Sequence, residues 1–158
     1  MEEFIQSILF LEKQYGPFQY AIGHSLGGMS LLNAINSGLT IKKLITIGSG
    51  DMVSDIVNDF VRALGLKPKI AIMLQEYYKD KIGKEMDSFS ASLVAKNVNI
   101  PVLVVHDEDD KDVPIEAALH IQKNLEKGEL YTTKGLGHKK ILGNGMVIDK
   151  ILQYITIP

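Results

Sequence analysis

The stretch NIPVLVVH, residues 99–106, is apolar on four consecutive positions from Val102 to Val105. A strand wetted on one face alternates apolar and polar residues, so an unbroken run fits a strand covered on both faces. KKLITIG contains a second short strand of this kind, Leu44–Ile47. Two further strands are read at Phe18–Ile22 and in ELYTT, residues 129–133. Helical spacing separates them, as in Phe4, Ile5, Ile8 and Leu9, and again in Met29, Leu32 and Ile35. A helix is expected from Pro114 to Lys127, and a last one from Ile141 or Met146 onward. KGLGHKKILGNG between them reads as a glycine-rich loop. Strands alternating with helices build βαβ units and a parallel sheet. The expected fold is therefore α/β and three-layered, with a short, mostly parallel sheet of about four strands and helices on both faces. The chain of 158 residues reads as a single domain, 1–158, with a helical, cap-like insertion at 51–99.

The net charge is −2, with no long run of either sign, which argues against a nucleic-acid or anionic-membrane partner. The absence of cysteine excludes disulfides, thiolate metal sites and cysteine nucleophiles. The opening MEEFIQSILF is acidic where a secretory signal is basic, and no apolar run approaches the length of a membrane span. A soluble cytoplasmic protein with no membrane partner is the expectation.

Chemistry concentrates in AIGHSLGG, residues 21–28. Gly23-His24-Ser25-Leu26-Gly27 fits G-x-S-x-G between a predicted strand and a predicted helix, the setting of a nucleophile elbow. Such an elbow holds its serine at the tip of a sharp turn. Side chains two residues to either side would collide, which accounts for Gly23 and Gly27. The helix that starts near Leu26 directs free N–H groups at the serine, and the Leu26 N–H is a candidate oxyanion donor. The competing reading is a glycine-rich strand-to-helix turn without chemistry.

A serine needs a base, and the base needs an acid to orient it. Of four histidines, His24 lies inside the elbow with its side chain directed away from Ser25. His106 ends a strand, and His120 lies on the Pro114 helix. His138 follows the last strand, at the sheet end where open α/β folds carry their sites, and is the candidate base. VVHDEDDKDVP supplies the acid from Asp107, Glu108, Asp109, Asp110 or Asp112. The same cluster could hold a hard cation, but the calcium-loop spacing with its central glycine is absent, so no metal is expected. The candidates occur in the order serine, aspartate, histidine.

Gly23-His24-Ser25-Leu26-Gly27-Gly28, IPVLVVHDEDDKDVP and GLGHKKIL together resemble an α/β-hydrolase superfamily serine hydrolase of the esterase and lysophospholipase-like kind. In that family the strand before the acid often ends His-Gly-x-x-Asp-x-x-Val-Pro. Counting back from Val113-Pro114 makes Asp110 the acid, with Asp109 and Asp107 as alternatives, because Asp107 stands where the pattern has glycine. The resemblance implies a catalytic set of Ser25, Asp110 and His138, an oxyanion donor at Leu26, a small acyl ester as substrate and no cofactor.

The resemblance also implies an eight-stranded sheet whose nucleophile follows the fifth strand, whereas Ser25 follows the first recognisable one. The family's first four strands, and the His-Gly loop that gives a second oxyanion donor, have no counterpart here. Weak esterase activity is the expectation, with a non-catalytic, oligomeric or binding module as the alternative. In 51–99, Met52, Val53, Ile56, Phe60, Met73, Leu74, Tyr77, Tyr78, Met86 and Phe89 are candidates for an acyl pocket or for helix core. Phe18–Ile22 carries neither lysine nor proline, the devices that blunt a free sheet edge. A homodimer is expected through that strand or through the flanking helices Phe4–Leu11 and Met29–Ile35.

Overall fold

A computed structural model of the chain describes residues 1–157. It begins with helix α1 (Glu2–Tyr15), strand β1 (Tyr20–His24), helix α2 (Leu26–Asn36) and strand β2 (Lys43–Ile47). Helices α3 (Val53–Ala63) and α4 (Lys69–Ile82), a 3₁₀ turn at Met86–Phe89 and helix α5 (Ala91–Ala95) lead to strand β3 (Val102–Asp107). Helix α6 (Ile115–Asn124), strand β4 (Gly128–Thr133), the short helix α7 (Gly137–Lys140), a 3₁₀ turn at Ile141–Gly143 and helix α8 (Gly145–Thr156) follow. Among the described residues the strands form one sheet of order β1-β2-β3-β4, parallel throughout.

The consecutive apolar residues divide between two cores. Leu44, Val102 and Val104 face Met29, Leu32, Ala118 and Ile121 of α2 and α6. Their neighbours Ile45, Ile47, Leu103 and Val105 face Ile141, Val147 and Ile151 on the α8 side. This is the three-layer arrangement expected from strands without polar alternation. In register, His24 lies beside Ile47, Ile47 beside Val105, and Asp107 beside Thr133. The carboxyl ends therefore finish together, and the residues that follow share one end of the sheet.

Several expected boundaries shift. β1 begins at Tyr20 rather than Phe18, because its parallel pairing to β2 starts at Tyr20 opposite Lys43. α6 stops at Asn124 rather than Lys127: Leu125 is already extended (φ −84, ψ 134) and turns the chain into β4. KGLGHKKILGNG is not a loop throughout. Gly135 and Gly137 turn the chain at positive φ, and the residues from Gly137 to Gly143 then coil into α7 and the 3₁₀ turn. Asn144 starts α8 by accepting the Val147 N–H on its side chain. The Met29–Ile35 face proposed for assembly is not free: Met29, Leu32 and Ala34 are completely buried in the core. Phe4, Phe10 and Leu11 of α1 are exposed. No helix among the described residues is long and apolar enough to cross a membrane.

Candidate active site

Ser25 sits between β1 and α2 with φ 54 and ψ −124, the positive-φ non-glycine residue of the described chain. Its own N–H is tied to the Ile47 carbonyl (2.9 Å), which anchors the turn to the end of β2. The glycines around it divide the work differently from the expectation. A Cβ at Gly23 would lie 2.6 Å from the Gly27 backbone, and one at Gly28 would lie 2.9 Å from Ser49. A Cβ at Gly27 would meet nothing within 4 Å. Steric need thus falls on Gly23 and Gly28, because α2 leans its first turn onto β1 and β2 at those two points. Leu26 opens α2, and its N–H stands in the first turn, where no intrahelical acceptor exists.

Asp110 and His138 meet at the same end of the sheet. His138 Nδ1 lies 2.7 Å from Asp110 Oδ2. The Asp110 side chain is buried; its other oxygen accepts the N–H groups of Asp112 (2.8 Å) and Val113 (2.9 Å). Burial opposes its ionisation, but the Val113 N–H, His138 and the Asp112 N–H outweigh that and hold the carboxyl below the usual carboxylate range. A carboxylate can only accept, so His138 Nδ1 carries the hydrogen of this bond, and in the neutral imidazole Nε2 is left with its lone pair. His138 lies on α7 rather than in an open loop.

Three residues outside the expected set shape this pair. His24 reaches His138: its Nε2 donates to the His138 carbonyl (2.9 Å), and the two rings are 4.5 Å apart. Gly48, at φ 55, lets the pair approach the end of β2, since a Cβ there would be 3.1 Å from His138 Nδ1 and 3.4 Å from Asp110 Oδ2. Asp107, fully buried, accepts four hydrogen bonds, three from the turns that carry Asp110 and His138 and one from Thr133 at the end of β4. A glycine directly after a strand was a visible cue for Gly48. The departure from the family pattern was the cue for Asp107. Nothing in the sequence pointed to His24 as a partner of His138.

The other candidates lie apart from the pair or support it from behind. His106 is fully buried, and its Nε2 donates to the Val113 carbonyl (2.9 Å). His120 is exposed, 3.4 Å from Asp51. Asp109 contributes its N–H to Asp107 rather than a carboxylate to His138. Asp110, Asp112 and His138 offer ligand atoms within 4.8 Å of one another. The Asp110 oxygens among them are already engaged by His138 and two N–H groups, so the cluster has the character of an acid–imidazole pair rather than a cation cage.

Ser25 and His138 line one cavity of about 1100 Å³, and no hydrogen bond joins them among the described residues. Leu26, Met29, Met52, Ile56 and Phe60 supply its apolar wall. Of the cap candidates, Met52, Ile56 and Phe60 thus reach it, whereas Phe89 belongs to the core.

The family model described as TAP-like protein (Abhydrolase_4) matches residues 84–158. Over 55 residues the chain is 42% identical to a non-heme chloroperoxidase of Burkholderia pyrrocinia, a match spanning 34% of this chain and 20% of that protein. Among solved structures, an esterase from Exiguobacterium antarcticum superposes with a TM-score of 0.70 at 14% identity, covering 97% of this chain and 72% of that one. An esterase from Rhodococcus sp. ECU1013 superposes with a TM-score of 0.66 at 15% identity, covering 97% and 71%. At these identities the two structures speak for the fold alone.

Proposed function

We propose that this chain, a member of the α/β-hydrolase superfamily that spans part of that fold, hydrolyses carboxylic esters with Ser25 as nucleophile, His138 as base and Asp110 as orienting acid. One observation carries the reading. His138, held by Asp110 at 2.7 Å, lines the same cavity as a serine strained at positive φ before a helix N-terminus. Strain of this kind persists where the surroundings over-determine it, and functional sites are where it gathers.

His138 Nε2 takes the proton as Ser25 Oγ bonds to the acyl carbon. The carbonyl oxygen becomes an oxyanion and accepts the Leu26 N–H. Collapse breaks the ester C–O bond, and His138 returns its proton to the departing alcohol. Water then attacks the acyl-enzyme by the same path in reverse, releasing the carboxylic acid and restoring Ser25. Asp110 stays ionised and keeps Nε2 facing the serine. The apolar wall of Met52, Ile56 and Phe60 favours a small or medium acyl chain, with the 51–99 segment acting as a cap over the site.

In the family the second oxyanion donor comes from a loop outside the motifs matched here. One such donor is worth about 10²–10³ in rate. The 158-residue chain assayed alone is therefore expected to be slow. A fluorophosphonate probe, with p-nitrophenyl acetate hydrolysis read in parallel, tests the reading. Labelling of the wild type and none of Ser25→Ala supports it. Equal ester hydrolysis by both, with no labelling, leaves the non-catalytic module as the better description.

A further inference from the structure

Asp107 closes β3 in the interior of the sheet and is completely buried. Its carboxylate is saturated. Oδ1 accepts the N–H groups of Asp109 (3.0 Å) and Gly137 (2.9 Å); Oδ2 accepts the Leu136 N–H (3.0 Å) and the Thr133 hydroxyl (2.7 Å). Among the described residues no lysine, arginine or histidine forms an ion pair with it. A buried charge without a counter-ion is costly unless hydrogen bonds replace its water. Here four donors do so.

The origin of those donors is the informative part. Asp109 belongs to the turn that presents Asp110. Thr133 ends β4, and Leu136 and Gly137 belong to the connection that leads from it to His138. The β3–β4 register sets Thr133 beside Asp107. Gly135 (φ 82) and Gly137 (φ 63) bend KGLGH so that two successive N–H groups converge on one carboxylate. The residue directly after Gly137 is His138.

We infer that Asp107 is a positioning residue that fixes the His138-bearing connection to the Asp110-bearing turn and so sets the Asp110–His138 contact. It touches no substrate and acts through His138. The inference rests on Ser25, His138 and Asp110 forming the catalytic set. Only a carboxylate offers four acceptor sites and no hydrogen. An asparagine presents an NH₂ to two of these donors, whichever way it is turned. The Thr133 hydroxyl can reverse to accept it; a backbone N–H cannot. The displaced connection carries His138 with it.

Asp107→Asn and Thr133→Val test this. Each is compared with wild type by thermal melting, by KM and kcat for p-nitrophenyl acetate, and by the far-downfield proton of the Asp110–His138 hydrogen bond, assigned by its loss in Asp110→Asn. Folded Asp107→Asn is expected to lose that resonance. Its kcat should fall about 100-fold at unchanged KM, the order a 1 Å misplacement costs. Thr133→Val, missing one donor of four, should show the same pattern at about tenfold, and it carries the test if Asp107→Asn does not fold. A wild-type kcat and an intact resonance in either folded variant overturn the inference, even if the melting temperature drops. If wild type itself hydrolyses nothing and is not labelled by fluorophosphonate, the proposed function fails. The resonance then decides alone: its loss in the variants supports the positioning role, and its survival overturns it.

Discussion

His24, the residue before the elbow serine, donates from Nε2 to the backbone carbonyl of His138 at 2.9 Å and packs its ring 4.5 Å from the His138 ring. The nucleophile turn thus holds the base by its main chain, while Asp110 holds it by its ring. His24→Phe keeps a ring there and removes the donor. A net hydrogen bond is worth about 1 kcal/mol, or about fivefold in rate if it serves orientation. We expect kcat on p-nitrophenyl acetate to fall by that order with KM unchanged. A rise in KM alone would show that His24 meets the ester rather than the base.

Gly48 tests how tightly the pair is packed. Alanine at φ 55 costs about 1–2 kcal/mol of backbone strain, which for a chain of this size lowers Tm by about 2–8 °C. Its Cβ would also stand 3.1 Å from His138 Nδ1. Gly65→Ala is the control, because Gly65 has φ 65 and open space around it. Both variants should melt earlier, but only Gly48→Ala should lose ester hydrolysis. Matching activities in the two would mean that the imidazole has room to move.

The two buried aspartates also predict an acid response. Burial works against ionisation at Asp107, but the N–H of Gly137, the Thr133 hydroxyl and the N–H groups of Leu136 and Asp109 overcome it and hold its carboxyl below the usual range; Asp110 is lowered likewise. Because the folded state keeps these protons off, their contribution is complete above the unfolded carboxylate value of about 3.9. It is lost as pH falls from there through the depressed folded values. Urea midpoints between pH 6 and 3 should therefore drop below about pH 4. Asp107→Asn, less stable at neutral pH, should show a shallower drop. Parallel curves would show that Asp107 has the same proton affinity folded and unfolded.

What was legible in the sequence follows from how local each signal is. β2 and β3 announce themselves because Leu44, Ile45, Leu103 and Val104 must be apolar on both faces of a covered sheet. The elbow is legible because Gly23, Ser25 and Gly28 act within a few residues of one another. β1's boundary was not, since it is set by pairing with Lys43, about twenty residues on. Asp107 was visible only as a glycine replaced. Its use depends on Thr133, Leu136 and Gly137, which reach it through the β3–β4 register and two left-handed glycines that no linear pattern reveals. His24 depends likewise on a contact across more than a hundred residues.

The last prediction concerns the free side of β1. That strand is an edge of the sheet among the described residues, and Tyr20 and Ile22 on it are 40% and 54% exposed. Phe18 just before it, and Phe10 and Leu11 on the neighbouring α1, are exposed as well. An apolar groove of about 180 Å³ runs between α1 and the sheet, lined by Ile8, Leu11, Phe18, Leu31 and Ile41. Unpaired backbone groups next to apolar side chains form a template for another strand. A two-fold axis beside β1 would pair two copies antiparallel and cover the same residues on both. We therefore expect the 158-residue chain to be a dimer by light scattering at micromolar concentration. Ile22→Lys puts a charge on the edge and should return it to monomer without loss of fold. A monomeric wild type would remove the edge-strand argument. A dimer indifferent to Ile22→Lys would move the contact elsewhere, with the exposed Phe60 face of α3 the next place to substitute.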